Sequence, residues 1–166
     1  MTLLDWMHHE YFLSGQVAIM ACLYFGPVNA PKAGLMKSLR SSDRERAIDG
    51  AKNAAWDALY LSKLISIVNE AAGGPKRYLY ASLDRKARLI ARMALAFGSD
   101  GPHHGVMTRM LLEWWSLGDA EQIANKLVEA ATDLDSPVMH EKRNRAALAK
   151  MDTIARGESL LRQWTV

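Results

Sequence analysis

The stretch from Ser42 to Arg92 constrains the chain more than any other. Ser42 followed three residues later by Glu45 has capping-box spacing, in which hydroxyl and carboxylate each satisfy a backbone N–H at a helix start. Beyond it Ala47, Ala51, Ala54, Ala58, Leu61, Ile65, Val68 and Ala72 recur at steps of three and four. That period predicts one apolar stripe about seven turns long. Gly73-Gly74-Pro75 stops it, because Gly accepts a left-handed cap and Pro cannot continue a helix. A stripe of that length must be covered, so the rest of the chain has to pack around it.

The flanking segments read as further helices with one exception. Residues 3–25 carry Leu4, Met7, Tyr11, Gly15, Ala18, Cys22 and Phe25 on one face and further apolar residues on the others, the pattern of a central helix. Gly26-Pro27 ends it, and residues 35–40 read as a short helical piece with Lys37 and Arg40. The exception is R-Y-L-Y-A-S-L at 77–83, whose alternation predicts a short strand. After Asp84 a helix places Ile90, Met93, Ala94 and Phe97 on one face and Arg85, Arg88 and Arg92 on another. Helices over 105–117, 119–134 with Asp119 as N-cap, and 138–164 complete the chain. The fold class is mainly α: one compact multi-helix domain over 1–166 with at most a small β-element near 77–83.

At 166 residues and 49% hydrophobic the chain can bury one ordinary core. A net charge of +3 and a pI near 9.1 permit a nucleic-acid partner without requiring one. Cys22 is the sole cysteine, so no disulfide forms within the chain, and its apolar surroundings predict a buried thiol. The N-terminus lacks signal-peptide organisation. The apolar run 11–25 is interrupted by Ser14, Gly15 and Gln16 and falls short of the ~20 residues a bilayer needs. The expectation is a cytoplasmic protein without a membrane span.

Three acids suggest chemistry. Asp57 lies on the flank of the long helix with Asn53 one turn before it, Asp84 ends the expected strand, and Glu10 sits between apolar surfaces of the first helix. Hydrolysis assisted by Mg²⁺ or Mn²⁺ needs hard oxygen ligands converging from separate elements. A structural reading stands beside this one. Asp84 is then the N-cap of its helix, Asp57 pairs with Lys63 or Arg46, and Glu10 meets a nearby base. Lys37, Arg40, Arg44, Arg46, Arg85, Lys86, Arg88 and Arg92 form either a phosphate-holding surface or a solvated face of ion pairs. Trp114, Trp115 and Trp164 either stack on bases or serve as core. His8-His9-Glu10 lacks zinc-site spacing, and His103-His104 reads as a solvated loop pair.

N-A-A-W-D-A-L-Y-L at 53–61, followed by A-S-L-D-R-K-A-R at 81–88, resembles the later half of PIN-domain nucleases. In that family a helix carries one acid and a strand leads to a second, both at a Mg²⁺ or Mn²⁺ site that cuts RNA. The resemblance implies a partial PIN-like α/β portion over 1–97 followed by a helical extension over 104–166. It implies catalysis and metal binding by Asp57, Asp84 and Glu10. Asn53, Ser82, Arg85, Arg88 and Arg92 would hold RNA, and the setting would be toxin- or defence-related. PIN domains open with a hydrophobic strand ending in Asp, and no such run precedes Trp6, so the resemblance implies either the C-terminal part of such a protein or a decayed relative, with the first acid missing or supplied by a partner. The second reading is a non-catalytic helical module that binds a protein or nucleic acid, or another copy of itself, through its last two helices.

Overall fold

Asp43 starts the longest helix, and the chemistry of that start differs from the expected box. The Asp43 carboxylate accepts a hydrogen bond from the Arg46 backbone N–H at 3.2 Å, so Asp43 rather than Ser42 is the cap. Glu45 turns outward to Arg162 instead. In this computed structural model, which describes residues 2–10, 15–27, 29–32, 34–98 and 103–164, the element order is α1 (Leu3–Glu10), α2 (Gly15–Tyr24), α3 (Arg44–Glu70), α4 (Arg85–Gly98), α5 (His104–Leu111), α6 (Leu117–Thr132), a single 3₁₀ turn (Asp133–Asp135), α7 (Pro137–Leu148) and α8 (Lys150–Gln163). The fold is mainly α, and among the described residues no helix is long and apolar enough to cross a membrane.

The centre is α2. Ala18, Ile19, Met20, Ala21, Cys22 and Leu23 are all buried, which requires neighbours on every side of the helix. Those neighbours are α3, α4 and α6. From α3 the stripe delivers Ala54, Ala58 and Leu61, α4 adds Ile90, Met93 and Ala94, and α6 adds Ala120, Ala124 and Leu127 to one continuous cluster. Both the 1–97 and the 104–166 portions contribute to it. The stripe on α3 fades toward its end, where Ile65 and Val68 are only half-buried.

Several local expectations change. No strand forms among the described residues. No backbone–backbone hydrogen bond joins residues 76–83 to another segment among them. The alternation at 77–83 buries no face either: Leu79 and Leu83 are 91% and 102% exposed. A strand needs a ladder partner, and helices surround this segment, so it crosses the surface as a link with Tyr80 packed against the core. Ser116, not Asp119, caps α6: its hydroxyl accepts from Asp119 N–H at 3.2 Å and donates to the Asp119 carboxylate at 2.7 Å. The expected helix over 138–164 divides at Ala149 into α7 and α8, and α8 turns to lie along α3. The 35–40 piece is a series of turns with Ser38 at φ 58°.

That turn segment is fixed by Gly50. A Cβ added there would overlap the backbone carbonyl of Lys37, so only glycine lets the loop lie directly on α3. Gly50→Ala gains about 1 kcal/mol of helix propensity but must displace backbone, at an overpacking cost of about 1–3 kcal/mol. Urea unfolding is expected to show Gly50→Ala less stable than the wild type despite the propensity gain.

Candidate functional site

The contact between Gly50 and Lys37 determines what stands beside α3. Residues 53, 56, 57 and 60 follow Gly50 by one to three turns, and Lys37, Asn53, Trp56, Asp57 and Tyr60 line one open concavity. Trp56 and Tyr60, four positions apart and so neighbours on the helix surface, are 57% and 67% exposed. Their rings lie 6.1 Å apart at 33°. Large aromatics left this open on a helix whose opposite face is buried are the feature that sequence reading missed. The available signal was that both lie far round the wheel from the Ala47–Ala72 stripe.

Asp84 is the N-cap of α4. Its carboxylate accepts from the backbone N–H groups of Lys86 at 2.8 Å and Ala87 at 3.3 Å, and its own N–H donates to Ser82 Oγ at 3.1 Å. Partial burial pushes the carboxyl upward. That is outweighed by the two N–H donors and then by the charges of Lys86 and Lys37, so it titrates below the ordinary Asp range. Lys37 thus reaches both expected acids: it shares the concavity of Asp57 and its field acts on Asp84. Neither Lys63 nor Arg46 forms an ion pair with Asp57 among the described residues.

One oxygen of the Asp84 carboxylate is engaged by two backbone donors, and the charge of Lys37 acts on the same group. Among the described residues no group of three or more His, Cys, Asp or Glu side chains could hold a metal ion. Glu10 ends α1, and its side chain lies outside the described residues. Arg85, Arg88 and Arg92 are exposed on α4, and Asn53 is exposed beside Asp57. Of the other candidates, Trp114 and Trp115 are half-buried against the core, and His104 Nε2 lies 3.3 Å from the Glu121 carbonyl oxygen.

Charge is distributed unevenly. Residues 34–92 hold twelve Lys and Arg against six Asp and Glu, a net +6. The whole chain holds 21 against 18, so the remainder holds nine against twelve, a net −3. The basic stretch is the one that carries α3, the Lys37 loop and the start of α4. Comparison with protein-family models, curated proteins and solved structures finds no match to this chain.

The capping role of Asp84 has a measurable signature. Removing an N-cap carboxylate costs about 1 kcal/mol, so Asp84→Ala should unfold more readily at neutral pH. Because the folded-state pKa is depressed, that stability is present above the unfolded value of 3.8 and is lost as pH falls through the folded value. The gap in Tm between wild type and Asp84→Ala should therefore narrow as pH drops below 3.8, which thermal melts across the acid range will test.

Proposed function

We propose that this chain is a non-catalytic helical module that binds single-stranded RNA across α3 and the start of α4. The observation that carries the reading is the exposed Trp56–Tyr60 pair beside Lys37 and Asn53, set in the part of the chain with net +6. Each base stacked on an aromatic ring contributes about 1–3 kcal/mol without regard to sequence. Asn53 and Asp57, which line the concavity, offer hydrogen-bonding groups to base edges. Lys37, Arg40, Lys63, Arg85 and Arg88 are exposed cations suited to phosphates. The PIN-like residues thus keep a role in holding RNA, with Asp84 positioning α4 rather than ligating a metal.

Fluorescence anisotropy with a labelled oligouridine tests this. Trp56→Ala should weaken binding by roughly 5- to 100-fold, following from about 1–3 kcal/mol per stacked base. Arg85→Ala and Arg88→Ala should each weaken it and lower the slope of log K against log salt by about 0.7. Absence of binding at low salt, or binding indifferent to Trp56, would refute the reading. Shortening of the RNA that requires Mn²⁺ and Asp57 would establish the nuclease instead.

A further inference from the structure

A cavity of about 420 Å³ opens between α1, α2 and α6, and no residue of α3 or α4 contributes to its wall. Its volume lies within the range of small-molecule sites, roughly 300–1,000 Å³. Leu4, Ala21, Cys22, Phe25, Trp115 and Ile123 supply its apolar lining. Burial raises the Cys22 thiol to about 12, so at neutral pH it is an uncharged, soft apolar surface and not a nucleophile.

The charged groups of the wall already have partners. Lys126 Nζ lies 2.9 Å from Asp5 Oδ1 and 3.3 Å from Glu129 Oε2. The Asp119 carboxylate accepts from Ser116 Oγ at 2.7 Å. The Lys126 hydrogen bond, followed by those from Thr2, holds the Asp5 carboxyl well below the usual range, and this network ties the start of α1 to α6. A ligand bearing a carboxylate would meet Asp119 and find no uncompensated cation.

We propose that this cavity binds a neutral, largely apolar small molecule. Apolar surface supplies the affinity, and the compensated charges of the wall disfavour anions.

The test uses the full chain with the uncharged dye N-phenylnaphthylamine, displaced by methyl octyl ketone or by decanoate. The dye should saturate at one site per chain, and the ketone should displace it at roughly tenfold lower concentration than decanoate. Ala21→Phe fills the cavity and should abolish dye binding. Ile123→Trp, at a half-buried wall position, serves the same purpose if Ala21→Phe does not fold. Absent dye binding, equal competition by decanoate, or binding retained in a folded cavity-filling variant would each overturn the proposal. RNA binding is read separately in the same variants, and its failure leaves this site untouched.

Discussion

Close approach through small residues is the constraint on which the rest of the structure depends. The buried face of α3 consists of Ala47, Ile48, Gly50, Ala54, Ala58 and Leu61, and that of α6 of Ala120, Ala124, Leu127 and Ala130. Alanine stripes contribute little area each, but they let helix backbones approach closely enough for the larger side chains of α2, α4 and α5 to fill the space between. Ile19, Leu23, Met93, Met107 and Leu111 are almost fully buried there. The same property acts once more on the surface, where Gly50 receives the Lys37 carbonyl and so sets a cation beside the exposed aromatics.

This explains how much of the fold was legible. The stripe of α3, the all-round apolar character of α2 and the two-faced pattern of α4 follow from periodicity, because side-chain burial and helical period are the same physical fact. Caps were less legible, since Ser42 and Asp43, or Ser116 and Asp119, are neighbouring candidates of nearly equal quality. Only the hydrogen-bond geometry decides between them. The strand expected at 77–83 failed for a reason outside the segment. Alternation describes a half-buried ribbon only when another strand exists to pair with it, and the neighbouring helices provide none.

The positions of the candidate residues were legible, and their arrangement was not. Sequence placed Asp57 and Asn53 on one flank, Asp84 before α4 and the arginines on its outer face, and the structure keeps those positions. It could not show that the turn segment carries Lys37 back to α3, a contact between positions thirteen apart that depends on one glycine. Asp84 caps α4, and Asp57 lines a concavity that Lys37 shares. The aromatic pair was hidden in a different way: Trp56 and Tyr60 resemble core residues by composition, and only their angular distance from the buried stripe marks them as surface.

The last helix shows the same competition between burial and charge. No residue of α8 is buried, and Leu148, Met151 and Leu160 around it stand exposed. It lies along α3 through Lys52–Glu158 at 2.8 Å and Glu45–Arg162 at 2.7 Å, with Arg44 donating to the Trp164 carbonyl at 3.2 Å. The hydrogen bond from Arg162 lowers the Glu45 carboxyl and that from Lys52 lowers Glu158. Their contribution is thus present above the ordinary Glu value of 4.5 and lost as pH falls through the folded values. Exposed pairs of this kind are weak and screened by salt, whereas the α2–α4 contact rests on apolar burial that salt does not screen. Since α8 compensates Lys52 on the basic face of α3, the added salt that loosens this helix also screens the cations beneath it. The two effects oppose each other at Lys52, so the charge that α3 presents there varies less with ionic strength than the charge at Lys37 or Arg88.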